Sequence, residues 1–201
     1  MTVVALASRN PGKLREIRSI LSSAGISLRV ASAEDFPGWE APSEDAPDYE
    51  GNALIKARSL ATFAGVAAIA DDSGIEVDAL GGEPGPRSAR YAGETATDED
   101  NLQKLIDAIR SVPESERTAR YRCVAALVTR DGRKVVAGGT VEGLLITEPR
   151  GSSGFGYDPI FVPTGDYRTM AELDPLEKDH ISHRGVAFRG LESALRDLVA
   201  D

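Results

Sequence analysis

Cysteine is nearly absent from this sequence, and so is any long apolar segment. Cys123 is the only cysteine, so no disulfide can form within the chain, and a reducing cytoplasm is the expected location. The apolar residues 2–7 follow no basic segment and are interrupted by Ser8-Arg9-Asn10, too early for a signal peptide or a membrane span. We therefore expect a cytoplasmic protein without a membrane segment.

Positive charge is also in deficit. Lysine and arginine together number 23 against 32 acidic residues, which leaves a net charge of −9. Binding to a nucleic-acid backbone requires a basic surface, so a general nucleic-acid binder is excluded. A small phosphorylated ligand remains possible, because a few lysines and a divalent cation can offset its charge.

Buried strands and amphipathic helices alternate along the chain. The strands predicted from apolar runs are residues 2–7, 66–70, 120–129, 134–146 and 159–162, with Asp131-Gly132 as the turn of a hairpin. Helices are predicted from 3.6-residue periodicity after the caps Asn10 and Thr97 and over residues 52–64. A short helical turn is predicted at Asp174-Pro175, and a final helix around Leu195. Residues 34–50 are predicted to be irregular. This order predicts an α/β fold with a mixed sheet, in a single domain over residues 1–201.

A polar segment follows the first strand, with the pattern Ser8-x-Asn10-x-x-Lys13-x-x-Glu16. The free amides and the positive dipole end of a helix start favour phosphate, and Lys13 adds a cation. A helix cap beside a solvated lysine is the simpler interpretation of this segment taken alone. The pattern is neither a Walker loop nor a dinucleotide fingerprint.

Two adjacent carboxylates, Asp71 and Asp72, follow the apolar run 66–70. Neighbouring strand residues point to opposite faces, so we expect the two side chains to have different functions. One of them can bind Mg²⁺ or orient a water molecule. A polar turn with an Asx-type hydrogen bond is the competing interpretation. The acidic residues of 34–50 are mostly a solvated surface, although one of them could complete a metal site.

Two later segments combine polar groups with glycines or with a helix start. In residues 151–159, the glycines allow close backbone approach, Phe155 offers a stacking face, and Asp158 offers an acceptor; a mobile surface loop is the alternative. Residues 178–185 bring Lys178, His183 and Arg184 together. Zinc is rejected there because no supporting cysteine or histidine cluster exists. His183 and Arg184 instead suit hydrogen bonding to a planar ligand that carries carbonyl groups.

Seven motifs follow one another in the order typical of one family. They are Ser8-Arg9-Asn10-Pro11-Gly12-Lys13, Asn52-Ala53 with Lys56, Ala70-Asp71-Asp72-Ser73-Gly74, Leu80-Gly81-Gly82 with Pro84-Gly85, Ser88-Ala89-Arg90-Tyr91, Gly154-Phe155-Gly156-Tyr157-Asp158-Pro159 and Ile181-Ser182-His183-Arg184. Each motif alone has low specificity, whereas their succession is highly specific. Nearly the whole chain thus resembles the inosine/xanthosine triphosphate pyrophosphatases, the Ham1-like enzymes that remove non-canonical purine nucleotides.

This resemblance implies an elongated mixed sheet with flanking helices, two lobes around a central cleft, and a homodimer. It implies Mg²⁺-dependent hydrolysis of dITP, ITP and XTP between the α- and β-phosphates. The implied catalytic residues are Asp72, Lys13 and Lys56, and the implied metal ligands are Asp72 and Glu44. Asp45 stays open as the second ligand, since Ser43-Glu44-Asp45 departs from the family's Glu-Thr-Gly pattern.

The resemblance also implies which residues bind substrate. For phosphate these are Ser8, Arg9, Asn10, Pro11, Gly12 and Lys13, with Ser73 as a further substrate contact. For the nucleoside they are Phe155, Gly156, Tyr157, Asp158 and Lys178, and for the base His183 and Arg184. Two other functions stay open: a Maf-type pyrophosphatase for pyrimidine or modified nucleotides, and a nucleotide sensor without catalytic activity.

Overall fold

The computed structural model describes residues 2–200, and within them the fold is α/β, as predicted. Its strands are β1 (Val3–Leu6), β2 (Arg29–Ser32), β3 (Ala68–Val77), β4 (Thr118–Val128), β5 (Lys134–Leu145) and β6 (Phe161–Pro163). Its helices are α1 (Pro11–Ser23), α2 (Tyr49–Ala64), α3 (Asp98–Ile109), α4 (Pro175–Ile181), α5 (His183–Gly190) and α6 (Glu192–Ala200). No helix within the described residues is long and apolar enough to cross a membrane.

The strands form one mixed sheet in the order β2-β1-β3-β4-β5-β6. Strand β1 is parallel to both β2 and β3, whereas β5 and β6 are antiparallel. The register pairs Leu6 with Ile69, and the Ala7 amide donates to the Ile69 carbonyl. Parallel strands have their carboxyl ends at the same edge, so the segment after β1 lies beside the acidic pair of β3.

The chain divides into two compact units. The first unit contains the chain up to Asp72, residues 123–139, and the chain from His183 onward; the second contains residues 73–122 and 140–182. Strands β3, β4 and β5 each contribute residues to both units. That the units act as lobes of one domain over residues 1–201 stays a prediction.

The first unit buries two apolar clusters, one against each face of β1 and β3. Leu6 and Ile69 pack with α1, α5 and α6, whereas Ala5 and Ala70 pack with α2. Side chains alternate between the faces of a strand, so this arrangement follows from the β pleat. Small alanines on one face allow α2 to pack close to the sheet. The same alternation directs Asp71 toward α1 and α5, and Asp72 toward α2.

In the second unit α3 covers the sheet. Its residues Leu105 and Ile109 pack with Val77 and Phe161 in one buried cluster. The predicted cap at Thr97 is confirmed, because Thr97 and Asp100 form a reciprocal capping box at the start of α3.

The structure corrects the prediction that the third strand ends before the acidic pair. Strand β3 continues to Val77, so Asp71 and Asp72 lie inside a ten-residue strand. Local turn propensity is overridden here for two reasons. Both carboxylates have cationic partners, and a Cβ at Gly74 would collide with the Gly85 carbonyl and the Ser88 hydroxyl, so only glycine allows this close approach.

Other boundaries also shift. Strand β2 was not predicted, because its burial does not alternate over four residues. Helix α2 begins three residues earlier than predicted, after the Asp48 cap, and ends as predicted at Gly65 in a left-handed conformation. The last strand begins only at Phe161, since residues 158–160 form a 3-10 turn.

Candidate active site

Helix α1 begins with a fully formed cap. The Asn10 side chain accepts hydrogen bonds from the amides of Gly12 and Lys13 at 2.8 and 3.1 Å, and the Asn10 amide donates to the Ser8 hydroxyl. The expectation of free amides is therefore wrong for residues 12 and 13. The groups of this segment that remain suited to phosphate are the Ser8 hydroxyl, the side-chain Nδ2 of Asn10 and the Lys13 ammonium.

Asp71 is a fully buried carboxylate between two cations. Its Oδ2 lies 3.0 Å from the Lys13 ammonium and 3.1 Å from the Arg184 guanidinium. Arg184 also pairs with Glu16 on α1. Burial raises the pKa of Asp71, but the charges of Lys13 and Arg184 outweigh it and hold the pKa well below its usual range. Asp71 on β3 thus forms ion pairs with one residue of α1 and one residue of α5.

Asp72 faces the other side of the sheet and has other partners. Its Oδ1 accepts from the Lys56 ammonium at 2.9 Å, and its Oδ2 accepts from the Asn52 amide at 3.2 Å. Lys56 also donates to Glu44 at 2.9 Å. One buried ammonium therefore joins Glu44 to Asp72. Asp71 and Asp72 therefore have separate partners, while the expectation that they have different functions stays a prediction.

Burial and charge oppose each other around Asp72. Burial raises the pKa of Asp72, and Glu44 adds to this, while Lys56 only partly offsets the rise. Burial lowers the pKa of Lys56, but the carboxylates of Asp72, Asp71 and Glu44 outweigh it, so that the Lys56 pKa is raised. Lys56 therefore stays charged at neutral pH.

The residues around Lys56 fit a divalent cation. Glu44 and Asp72 direct two carboxylate oxygens at the same ammonium, which marks a position where positive charge is stabilised. Carboxylate oxygens are the ligands that hard divalent cations prefer, and such ions complete their shell with water and substrate phosphate. Within residues 2–200, no cluster of three acidic, histidine or cysteine side chains suited to a metal occurs, so protein ligands alone do not complete such a shell.

The segment that carries Glu44 is held at two points. Arg9 donates to the Trp39 carbonyl at 2.8 Å, and the Ala46 amide donates to the Asn52 side chain at 3.0 Å. Glu44 is half-buried, whereas Asp45 is exposed. Geometry therefore favours Glu44 over Asp45 as the partner of Asp72.

In the second unit, Asp158 organises the glycine-rich segment. Its Oδ2 accepts from the Lys178 ammonium at 2.6 Å and from the Phe155 amide at 2.9 Å. The Lys178 ammonium lies 5.1 Å from the centre of the Phe155 ring, within cation–π range. Asp158 and Lys178 are both buried, and Phe155 is half-buried.

The neighbours of Phe155 are anchored within the same unit. The buried Tyr157 donates its hydroxyl to the Ser88 carbonyl at 2.8 Å, and the Gly156 amide donates to Asp98 at 3.2 Å. A mobile loop is therefore the weaker description of this segment. Ser73, the other predicted substrate contact of this unit, is half-buried in β3.

The predicted base-reading pair lies at the start of α5. His183 and Arg184 are both buried in the first unit, and Arg184 is only 2% exposed. A Cβ at Gly139 would collide with the His183 carbonyl, so glycine is needed for α5 to approach β5 closely. The Arg184 guanidinium already contacts two carboxylates, Asp71 and Glu16, which points to a structural role.

Comparison with known proteins identifies the chain. A model described as the Ham1 family matches residues 4–194. The chain belongs to the Ham1 family. It is 48% identical over 196 residues to a dITP/XTP pyrophosphatase of Geobacter sulfurreducens, covering 97% of each chain.

Solved Ham1 structures agree with this fold. The HAM1 protein of Coxiella burnetii is 40% identical with a TM-score of 0.85, covering 98% of this chain and 100% of its own. The Ham1 protein of Staphylococcus aureus is 37% identical with a TM-score of 0.82, covering 98% and 99% of the two chains. The predicted family and its α/β fold are confirmed.

Two residues of the candidate site stood in the quoted sequence motifs but were given no role there. Asn52 joins Asp72 to the Glu44 segment, and Glu16 holds Arg184. Both carried a detectable signal: Asn52 lies four residues before Lys56 and Glu16 three residues after Lys13, spacings that share one helix face.

Proposed function

We propose that this chain hydrolyses dITP, ITP and XTP to the monophosphate and pyrophosphate. The observation that carries the proposal is the carboxylate pair of Glu44 and Asp72, which meets at one cationic position beside a lysine-bearing helix start. The relatives' name, dITP/XTP pyrophosphatase, supports the choice of substrate.

In this proposal the first unit binds the phosphates. Ser8, Asn10 and Lys13 contact phosphate oxygens, with Arg9, Pro11 and Gly12 shaping the segment, and Lys56 supplies a second ammonium. Phosphoryl transfer requires positioning and charge neutralisation more than covalent chemistry, so these groups suffice.

Asp72 is the proposed base. Without metal its carboxylate is held by Asn52 and Lys56, and its position at the lysine makes it the proposed acceptor of a proton from the attacking water. Glu44 and Asp72 are the proposed ligands of Mg²⁺. When bound, this ion supplies positive charge that offsets the triphosphate and polarises a phosphoryl oxygen.

The proposed nucleoside contacts are Phe155, Gly156, Tyr157, Asp158 and Lys178, with Ser73 as a further substrate contact. Phe155 presents a ring face to the base, and His183 is the proposed donor to a 6-oxo group. A 6-amino group is itself a donor and could not accept the hydrogen bond from His183. This mismatch can give about 10⁴-fold discrimination against a 6-amino purine. For Arg184 we propose that it acts by positioning Asp71, since its guanidinium already pairs with Asp71 and Glu16.

Product analysis tests the proposal. The purified protein is incubated with ITP and Mg²⁺, and the phosphorus-containing products are separated; we expect IMP and pyrophosphate, with ATP turned over far more slowly. Orthophosphate with IDP would contradict the cleavage position. Sustained binding without hydrolysis would favour the sensor, and preference for dUTP or modified pyrimidine triphosphates would favour the Maf-type enzyme. A homodimer and a cytoplasmic location stay predictions, the first checked by analytical ultracentrifugation.

A further inference from the structure

Lys56 lies where a cation between Glu44 and Asp72 would lie. Its Nζ is 2.9 Å from an oxygen of each carboxylate, and the residue is only 7% exposed. A buried ammonium with two carboxylate partners is a specific arrangement, since lysine is almost never buried unless it is paired.

We propose that Lys56 and a divalent cation exclude each other from this position. In the absence of metal, the ammonium neutralises Glu44 and Asp72; when the cation enters, Lys56 moves to a phosphate oxygen of the substrate. This exchange rests on the proposed function, because that function supplies both the metal and the phosphate.

Distance and charge are the grounds for the exclusion. A cation of the Mg²⁺ type binds oxygen at about 2.1 Å, and the two oxygens that face the site already contact the ammonium. Two cations on the same oxygens would repel each other strongly in a buried site of low effective dielectric. The second oxygen of Asp72 accepts a hydrogen bond from Asn52, which leaves the oxygen that contacts Lys56 as the one directed at Glu44 and the shared position.

Only the side chain needs to move. Helix α2 is fixed at its start by the Asp48 side chain, which accepts from Gly51, and it ends at Gly65. The four-carbon stem of lysine allows its ammonium to change partners without displacement of the helix. The ammonium can therefore leave the two carboxylates while α2 stays in place.

Exchange couples the metal to the substrate. Metal alone must displace Lys56 without giving it a new partner, whereas metal with a triphosphate provides one. Each ligand then favours the binding of the other by the same factor. The protein consequently binds free divalent cations weakly and the metal–nucleotide complex well.

Mn²⁺ binding without nucleotide tests the exchange, with free Mn²⁺ measured by electron paramagnetic resonance. We expect Lys56→Met to bind Mn²⁺ roughly tenfold tighter than the unaltered chain, since one competing charge is removed. The matched control is Arg58→Met, which removes the same charge from an exposed position of α2 and should leave the affinity within about twofold. Should Lys56→Met fold poorly, Lys56→Gln removes the charge but keeps hydrogen-bond donors.

Thermal unfolding gives a second readout that does not depend on activity. The Lys56 variants should unfold at lower temperature than the unaltered chain without metal, and Mn²⁺ should raise their midpoint more than that of the unaltered chain. Unchanged or weaker Mn²⁺ binding in both Lys56 variants overturns the exchange.

The failure of the exchange is distinguishable from failure of the proposed function. If Glu44→Gln abolishes Mn²⁺ binding while the Lys56 variants do not tighten it, the metal site stands and only the exchange is overturned. If neither Glu44→Gln nor Asp72→Asn affects Mn²⁺ binding, the proposed metal site itself is overturned.

Discussion

The two units differ in the number and arrangement of their ion pairs. In the first unit, three cations and four carboxylates form two linked groups, one around Asp71 and one around Asp72. In the second unit, a buried ion pair of Asp158 and Lys178 lies beside the ring of Phe155.

This difference matches two kinds of ligand chemistry. A dense charge cluster suits a cation and a phosphate, because its lysines and carboxylates offer charges of both signs close together. A neutralised pair beside an aromatic face provides a flat apolar surface with a few directed polar groups, which suits a base. The comparison predicts that charge changes in the first unit affect catalysis, whereas changes in the second affect binding.

The largest effect is expected for Asp72→Asn. Removing the charge of the proposed base while keeping its shape should reduce ITP turnover by about 10³-fold or more. Pyrophosphate release measures the change, and circular dichroism checks that the fold is retained. Asp107→Asn, an exposed change on α3, serves as the control. Near-normal turnover in Asp72→Asn would refute the assignment.

For Asp71→Asn we expect a loss of stability in addition to any kinetic effect. The buried Arg184 and the half-buried Lys13 would lose their shared partner, and breaking a buried ion pair costs about 3–5 kcal/mol of unfolding free energy. Urea unfolding measures it. A change below about 1 kcal/mol would show that Glu16 and solvent compensate fully.

The acid dependence of stability sharpens the same comparison. Because the pKa of Asp71 is lower in the folded chain than its unfolded value, its contribution is fully present above about pH 4 and is lost as the pH falls further. The free energy of unfolding is measured as the pH is lowered from above this value into strong acid. It should fall less steeply for Asp71→Asn than for the unaltered chain. Equal slopes would contradict the lowered pKa.

A smaller effect is expected for Glu44→Gln, which tests the choice of second metal ligand. Losing one of two carboxylates should raise the Mg²⁺ concentration for half-maximal activity roughly tenfold or more. Asp45→Asn is the matched change on the exposed neighbour and should have an effect of less than about threefold. The reverse order would transfer the ligand role to Asp45.

The smallest effect is expected for Phe155→Ala. Stacking of a base on an aromatic ring contributes about 1–3 kcal/mol, so KM for ITP should rise by about tenfold with little change in kcat. Tyr167→Ala removes an aromatic ring that is 81% exposed and should leave KM unchanged. A fall in kcat without a rise in KM would contradict the assignment of catalysis to the first unit and of binding to the second.

Local signals in the sequence were sufficient for much of the fold. The strand before Ser8, the Asn10 cap, the Gly65 helix end and the helix start at Thr97 depend on neighbouring residues and were predicted correctly. The end of β3 was predicted wrongly because Asp-Asp-Ser-Gly has high turn propensity. The cations that stabilise this segment as a strand come from α1, α2 and α5.

The sequence by itself determined the family, the capped helix that begins at Pro11, and the chemical types available for a site, since motifs and caps are read within a few residues. Only the tertiary structure decided the partners: Lys13 and Arg184 with Asp71, and Lys56 with both Glu44 and Asp72. The physical reason is that an ion pair depends on distance in space, and 113 residues of chain separate Asp71 from Arg184.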